Sequence, residues 1–450
     1  MAPPLFLPRL DWTKGCCHCP ARTLVVMLIA SAALINMATP IITLNTLTVD
    51  FRLALRNILR QRRRSAIALI AISFGVIAMM LSAGYIEWVF WANREVAVKQ
   101  LGHIQISRPG YHEAGRADPL AYLLPDASPA LSALAKIPGV RSVSPRLLFN
   151  GLLSHGDSTL SFIGEGVDTA EDPSTRNLAI TEGQPLSSDD PKGILVGTGL
   201  AANLGVKTGD TVVLLANTAS GGINAVEVHV RGLASTSMKA YDDTMLRVPL
   251  ATARTLLRTQ GAHLWVVGLQ RTELTDAVLG RISNMPAFKG YEIVPWSKLA
   301  DFYNKTVALF SRQMGVVKSI IALIIVLSIS NTMTMSVMER TVEIGTAMAL
   351  GVRRRRILGL FLLEGALLGA LGGLAGVTLG YVLASIISFV GIPMPPAPGM
   401  SRGFIAAILI TPGIIVEALL IAVATTLVAS LYPAWRASRL VIVEALRHNR

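Results

Sequence analysis

Four long apolar runs constrain this chain of 450 residues more than any other feature. They cover residues 66–89, 316–338, 357–390 and 405–432. A helix needs roughly 20 apolar residues to cross a hydrocarbon core of about 30 Å, so each run is long enough to span a membrane. Only 15% of the residues are charged, which is low for a soluble domain. The sequence therefore predicts an α-helical membrane protein with four transmembrane helices.

The net charge of +13 is concentrated beside these runs. Residues 50–64 contain six Arg and one Asp, residues 339–356 contain five Arg and two Glu, and residues 434–450 contain four Arg and one Glu. Clustered Arg stays on the cytoplasmic side of a membrane. Four crossings then place these three segments and both termini inside, and residues 91–313 outside. The charge is therefore interpreted as an orientation signal, which argues against nucleic acid as a partner.

The first 46 residues do not fit this topology. Thr23–Leu44 is apolar, but as a fifth span or a cleaved signal peptide it would leave a cluster of charges on the wrong side. We expect residues 1–46 to lie outside the working fold, with Met37 as an alternative start; the other interpretation is a membrane-surface segment. All three Cys lie within 16–19, which excludes a disulfide-stapled scaffold and matches no zinc-site spacing.

An amphipathic pattern precedes the first span. Leu47, Phe51, Leu55, Ile58 and Leu59 form one helical stripe, which predicts an interfacial helix, although the segment could act only as an orientation signal. The predicted boundaries are the interfacial helix at 47–64, transmembrane helices at 65–90, 314–338, 357–390 and 404–432, an outer domain at 91–313, a cytoplasmic coupling loop at 339–356, an outer loop at 391–403 and a cytoplasmic tail at 433–450.

Residues 91–313 are long enough to bury a core of their own and predict a large outer α/β domain. A β-rich insertion is expected at 149–260, and the helical period of residues 296–318 predicts a stalk that runs into the second span. The predicted strands are 103–108, 141–153, 159–163, 193–196, 211–216, 226–230 and 264–269. The predicted helices are 129–137, 198–204, 250–258 and 273–284.

The third apolar run is rich in glycine at a spacing of four residues, which lets helix backbones approach closely. This pattern is typical of a mobile or dimeric helix interface, and equally of ordinary packing inside one bundle. The residues concerned are Gly365, Gly369, Gly372, Gly373, Gly376 and Gly380.

Catalytic motifs are absent from the sequence. There is no G-x-x-x-x-G-K-[ST] phosphate loop, no H-E-x-x-H motif and no His pair at metal-ligand spacing. The acidic stretch Glu165–Asp172 is interpreted as a solvated loop. Glu364 and Glu417 lie inside apolar runs, where acids are candidates for substrate binding or gating. We favour structural roles for both, through snorkelling or bonds to nearby polar side chains, and we expect no enzymatic activity and no metal site in this chain.

The loop from Met338 to Arg356 combines apolar and charged side chains. A short amphipathic helix there would expose apolar residues, which need either a partner surface or lipid to cover them.

Several segments, in order along the chain, together resemble the FtsX-like/MacB-type family of ABC transporter permeases. They are LALRNILRQRRRSAIALIAISFGV (53–76), ERTVEIGTAMALGVRRRRILGLFLLEGALLGALGGLAGVTLG (339–380) and LYPAWRASRLVIVEALR (431–447). GHIQISRPGY (102–111) and GILVGTGLAANLGVKTGDTVVLL (193–215) are most similar to the LolC/LolE lipoprotein-releasing branch.

The resemblance implies a non-catalytic permease subunit in a bacterial inner membrane, with its outer domain in the periplasm. ATP and Mg would be bound by a separate ABC ATPase subunit, and this chain would bind no cofactor. A second permease copy or a paralogue, membrane lipid, and a periplasmic carrier or adaptor are the other implied partners. The residues expected to contact the ATPase are Met338, Glu339, Arg340, Glu343, Ile344, Gly345, Leu350 and Gly351.

The resemblance also implies mechanical work without a substrate channel through the membrane. ATP-driven closure at the coupling loop would move the periplasmic domains, and the cargo would be lipoproteins or similar hydrophobic molecules. The alternatives are a MacB-like drug or peptide exporter and an FtsX-like regulator of a cell-wall hydrolase.

Overall fold

The computed structural model describes residues 44–115, 119–125, 129–169, 172, 178–236, 238–396 and 403–447. These residues form two compact units. The helix unit comprises residues 44–83, 315–384 and 410–447, and the sheet unit comprises residues 84–314 and 385–409. The predictions for residues 1–43, including the three Cys, lie outside the described residues.

The helices and strands are numbered here in chain order. The helices are α1 (Leu44–Arg60), α2 (Arg62–Leu101), α3 (Tyr111–Ala114), α4 (Pro129–Ala135), α5 (Thr198–Leu204), α6 (Lys239–Asp242), α7 (Leu250–Leu257), α8 (Thr275–Ser283), α9 (Trp296–Leu299), α10 (Asp301–Glu339), α11 (Thr341–Ala349), α12 (Arg354–Val390), α13 (Pro412–Ser438) and α14 (Ile442–Arg447). The strands are β1 (Ile104–Ser107), β2 (Val140–His155), β3 (Ser158–Val167), β4 (Ala179–Gly183), β5 (Gly193–Gly197), β6 (Thr211–Asn217), β7 (Ile223–Ser235), β8 (Met245–Pro249), β9 (Leu264–Leu269), β10 (Glu292–Pro295), β11 (Ile392–Met394) and β12 (Phe404–Ala406).

Four helices in the described part of the chain, α2, α10, α12 and α13, are long and apolar enough to cross a membrane. The fourth begins later than the predicted residue 404. Phe404–Ala406 is strand β12, which pairs with β11, and the helix starts at Pro412. Proline is favoured in the first helical turn because its missing N–H would have no partner there. The predicted start was therefore wrong by eight residues.

Two other predicted helix boundaries also differ. The interfacial helix α1 ends at Arg60 and a turn at Gln61 separates it from α2, so residues 62–64 belong to the first span. The predicted stalk is interrupted at Ala300, whose ψ of 65° is not helical, and the long helix α10 begins only at Asp301.

The described strands of the sheet unit, apart from the β11–β12 hairpin, form one ten-stranded sheet. The first part of β2 pairs with β9, its last part pairs with β6, and β3 pairs with β2 from Arg146 onward. Pairing then passes from β3 through β8, β5 and β7 to β6, so six strands close into a barrel. Closure removes exposed strand edges. The predicted start of an insertion at residue 149 therefore falls in the middle of one continuous strand.

The seven predicted strands are present, whereas β4, β8 and β10 were missed. β8 reads Met-Leu-Arg-Val-Pro, and its central Arg247 hides the apolar pattern although the side chain is buried.

The interpretation of Glu165–Asp172 as a solvated loop is also wrong at both ends. Glu165 lies within β3 and pairs with Arg247, and the buried Asp172 accepts bonds from Arg146. Buried charges are tolerated when they are paired in this way.

Candidate functional site

Helix α11 is held between α10 and α12 at the arginine-rich end of the helix unit. Its C-terminus is closed by Gly351, whose φ of 93° is accessible to glycine at no steric cost. Gly351 N–H donates to Met348 O at 3.0 Å, and Val352 N–H donates to Ala347 O at 3.1 Å. This is the Schellman pattern of a helix end. The turn therefore fixes the direction in which α12 leaves.

The α1–α2 junction is bound to the α10–α11 junction by polar contacts. Arg60 forms an ion pair with Glu343, and Arg64 forms one with Glu339. Between them, Ser336 Oγ donates a hydrogen bond to Gln61 Oε1 at 3.0 Å. The hydrogen bond from Arg60, helped by Arg340, lowers the pKa of the Glu343 carboxyl below its usual value, so this acid is ionised at neutral pH.

Arg340 links α11 to the third span. Its Nη1 lies 3.3 Å from Glu364 Oε2, and its guanidinium carbon lies 5.5 Å from the ring centre of Phe361. Glu364 is buried, so this ion pair supplies the compensation that an acid inside an apolar helix requires. The structural role favoured for Glu364 is thus supported by a partner that the sequence analysis had not named.

The predicted ATPase-contact residues divide into two groups. Ile344 and Gly345 are buried, with Gly345 directly against Ala445 of α14, and Arg340 is mostly covered by Glu364 and Phe361. These three residues contact their own unit and hold α11 in place, and their role as ATPase contacts stays a prediction. The exposed residues define a surface that we call the α11 face. Its members are Met338, Glu339, Glu343, Leu350 and Gly351.

The α11 face carries the two largest exposed apolar side chains of this segment. Leu350 is 82% exposed and Met338 is 54% exposed. Met338 directly precedes Glu339 at the end of α10, and Leu350 directly follows α11, which carries Glu343. Exposed apolar residues on both sides of a short, fixed helix are suited to binding another surface.

The glycines of α12 form two packing faces within the helix unit. Gly365, Gly369 and Gly373 lie against α13, where a side chain on Gly373 would come within 2.9 Å of Leu419. Gly372, Gly376 and Gly380 lie against α2, and a Cβ on Gly376 would lie 2.7 Å from the Val76 Cβ. All six glycines are buried inside this chain. The structure therefore favours packing inside one bundle over a dimer interface at this stripe.

Glu417 pairs with Lys318, so α10 carries a second ion pair to a neighbouring span. Lys318 and Arg340 are 22 residues apart on the sequence, which corresponds to roughly 33 Å of helix. That distance is about the thickness of a hydrocarbon core. Glu417 and Glu364 thus pair with Lys318 within α10 and with Arg340 directly after it, about one hydrocarbon thickness apart along the chain.

Sequence reasoning missed Arg60, Arg64 and Lys318 as partners, although a signal was present. Arg60 and Arg64 are four residues apart, as are Glu339 and Glu343, and each pair lies on the two sides of a helix break. Equal spacing of opposite charges is the sequence signal of this contact. Among the described residues, no three His, Cys, Asp or Glu side chains are grouped to hold a metal ion.

The sequence of this chain is similar to those of known transport proteins. The chain is 27% identical to the macrolide export ATP-binding/permease protein MacB of Hyphomonas neptunium, over 88% of this chain and 60% of that protein. It is 25% identical to the lipoprotein-releasing system transmembrane protein LolE of Haemophilus influenzae, over 70% of this chain and 79% of that protein. The chain thus spans less than two thirds of the MacB relative.

The periplasmic region of MacB from Actinobacillus actinomycetemcomitans aligns with 46% of this chain, at 14% identity and a TM-score of 0.34. Two family models match consecutive parts of the sequence. Residues 65–285 match the MacB-like periplasmic core domain, and residues 315–442 match the FtsX-like permease C-terminal model. With four candidate membrane-spanning helices and most of the sheet unit inserted between the first two, the chain belongs to the FtsX-like/MacB-type family of ABC transporter permeases.

Proposed function

We propose that this chain is the permease subunit of an ABC transporter and that the α11 face binds a separate ATPase subunit, which carries ATP and Mg. The observation that carries this proposal is the exposure of Met338 near the end of α10 and of Leu350 after the end of α11, a helix whose Ile344, Gly345 and Met348 are buried. Such a face can transmit force because α11 is joined to α12 by its Schellman turn and to α1 by the ion pair of Arg60 with Glu343.

ATP is proposed to bind outside these 450 residues. The MacB relative is named as an ATP-binding/permease protein, and this chain covers 60% of it. Within the 450 residues there is no phosphate-binding loop of the G-x-x-x-x-G-K-[ST] type.

In this proposal, the arginine-rich end of the helix unit is cytoplasmic and the sheet unit is periplasmic. The three Arg clusters favour that orientation. α10 is a continuous helix of 39 residues that ends at the α11 face, so displacement of α11 is passed along it. A second permease copy or a paralogue would complete the transporter.

For the cargo we propose lipoproteins or similar hydrophobic molecules, delivered to a periplasmic carrier. The likeness to LolE, which covers 79% of that protein, supports this choice. The competing function is MacB-like export of drugs or peptides through an adaptor, which the match to the MacB-like periplasmic core domain favours. Affinity purification of the full chain from its native membranes separates the two: bound lipoprotein or a lipid-binding carrier supports the first, and an adaptor supports the second.

The ATPase contact is tested with charge swaps. Glu339→Lys with Glu343→Lys should abolish co-purification of an ABC ATPase, because the α11 face becomes positive. A fourfold variant that adds Arg60→Glu and Arg64→Glu restores the ion pairs inside the chain. If the fourfold variant recovers the ATPase, the two acids act only by bracing α11. If the double variant keeps the ATPase, the proposed contact is wrong.

A further inference from the structure

Helix α1 presents two different apolar surfaces. Ala54 and Ile58 are buried against the helix unit. Phe51 and Leu59 are 45% and 58% exposed, and with the half-exposed Leu55 they form a stripe at a spacing of four residues. This outer stripe has no protein cover within the described residues, and it lies on the helix that leads into the first span.

Exposed arginines flank the stripe. Arg52 and Arg56 follow Phe51 and Leu55 directly in sequence, so they lie along the edge of the stripe. Arg353, Arg354 and Arg355 are exposed at the start of α12. The two groups are joined by an ion pair, because Arg356 Nη2 lies 2.9 Å from Asp50 Oδ1. We call Arg52, Arg56, Arg353, Arg354 and Arg355 the arginine platform.

The arginine platform has an excess of positive charge that the protein does not balance. Asp50 is the single acid of α1, and it is already engaged by Arg356. Within the described residues, no member of the platform has a carboxylate at ion-pair distance. Like charges on two segments that an ion pair brings together repel one another, so a bound anion would lower the energy of the folded chain.

The position of the platform identifies that anion. The first span begins at Arg62, within one turn of Leu59, so α1 lies at the level of the membrane surface. A soluble anion would neutralise the arginines but would leave Phe51 and Leu59 in water. A lipid surface would neutralise the arginines and also cover the apolar stripe, since its phosphate groups pair with the guanidinium groups while its acyl chains contact Phe51 and Leu59.

We propose that the arginine platform and the outer stripe of α1 form a binding site for acidic phospholipids, at the surface of the bilayer that the four helices cross. The site requires no ATPase, no cargo and no assignment of the two sides of the membrane, so it stands apart from the proposed transport function. Lipid binding at this site would also affect the α11 face, because Arg60 of α1 pairs with Glu343 of that face.

The test is lipid binding by the full chain in uncharged detergent, followed by native mass spectrometry. Phosphatidylglycerol should bind at least about tenfold more tightly than phosphatidylcholine, because each Arg near the surface contributes appreciably to attraction of acidic lipid. Arg353→Gln with Arg354→Gln should remove most of this preference. Arg436→Gln with Arg439→Gln removes the same charge from exposed positions at the end of α13 and should leave the preference intact.

The apolar stripe is tested separately. Phe51→Ser with Leu59→Ser should weaken binding of both lipids, and sn-glycerol 3-phosphate should fail to displace phosphatidylglycerol. Equal affinities for the two lipids in the parent chain would overturn the proposal. Equal losses in the two arginine variants would show diffuse attraction instead of a site, and displacement by glycerol phosphate would identify a soluble anion as the occupant.

Discussion

The core of the sheet unit and the α11 face use charge in different ways. In the sheet unit, Arg146 and Asp172 are 4% and 0% exposed, and Glu165 and Arg247 are also buried. In the helix unit, Arg60 and Glu343 are 66% and 46% exposed. Buried pairs cannot be broken without leaving a charge in a poor solvent, whereas exposed pairs exchange partners with water at little cost. The comparison teaches that buried pairs help to hold the sheet unit in shape, whereas the exposed pairs beside the α11 face add little to stability.

The Glu165 cluster shows how the sheet unit keeps its charges in place. Tyr241 Oη donates a hydrogen bond to Glu165 Oε1 at 2.8 Å, and Arg247 Nε lies 3.0 Å from Glu165 Oε2. Burial alone would raise the pKa of Glu165, but Arg247 and Arg146 lower it below its usual value. Partial burial, together with the Glu165 carboxylate, raises the pKa of the Tyr241 hydroxyl. In this cluster the Glu165 carboxyl group therefore stays ionised and the Tyr241 hydroxyl group stays neutral.

The largest expected effect is Arg146→Met, which leaves Asp172 buried without its arginine. The sheet unit should lose about 3–5 kcal/mol of stability, the usual result of removing one partner from a buried pair. Hydrogen exchange of β2 and β9 peptides in the full chain measures this loss. Adding Asp172→Leu should recover most of the protection, and a double variant as unstable as the single one would contradict the pair's role.

Packing, more than charge, should hold the helix unit together. Gly376→Val places a side chain against Val76 and 2.9 Å from Ser73 O, and such overpacking costs about 1–3 kcal/mol. Thermal unfolding of the full chain in detergent measures this loss of stability. Gly359→Ala is the matched control, because nothing lies within 4 Å of that position on the same helix and alanine favours helix. Equal effects at the two glycines would mean that the close approach is unimportant.

Acid should weaken the sheet unit through His103. Burial lowers the pKa of His103 from 6.5 to about 4, and the nearby Glu273 carboxylate offsets this lowering only in part. Between pH 4 and pH 6.5 the unfolded chain therefore binds more protons than the folded chain does. Stability is therefore full above pH 6.5 and falls towards pH 4, by roughly 1 kcal/mol for this half-buried ring. Hydrogen exchange of the β9 amides at pH 7 and pH 4.5 measures this loss of stability, since Leu269 N–H donates to His103 Nδ1 at 3.1 Å. In His103→Gln, the pH dependence should become smaller.

The smallest expected effect is at the exposed pair. Arg60→Gln removes the partner of Glu343, and thermal unfolding should change by no more than about 1 kcal/mol because both side chains are in water. A loss as large as that of Arg146→Met would erase the contrast between the two units.

Much of this fold could be predicted because membrane spans and alternating strands leave strong patterns. The four long apolar helices, the seven predicted strands and the existence of helix α1 follow from apolar runs and periodicity. The barrel closure could not be predicted, since pairing of β6 with β2 joins residues about 60 positions apart and depends on no local signal. β8 was missed because buried Arg247 looks polar until its partner Glu165 is known.

The α11 face was predicted as a segment but not in its orientation. Helical period alone does not tell which side of a short helix is covered, and here α14 covers Gly345 while Glu364 holds Arg340. Both contacts come from distant parts of the chain. The exposed residues Met338 and Leu350 were named from the sequence together with buried neighbours, and only the fold separates the two groups.

The central claim is that the α11 face binds an ATPase, and Leu350→Asp tests it most directly. Leu350 is largely in water, so this change should leave the unfolding temperature of the chain unaltered. The measurement is the amount of ABC ATPase that co-purifies with the full chain from native membranes, with Ile223→Asp as the control at an equally exposed apolar position of the sheet unit. We expect at least a tenfold loss for Leu350→Asp, about the effect of 1.4 kcal/mol, and none for the control. Unchanged recovery of the ATPase with Leu350→Asp would contradict the account.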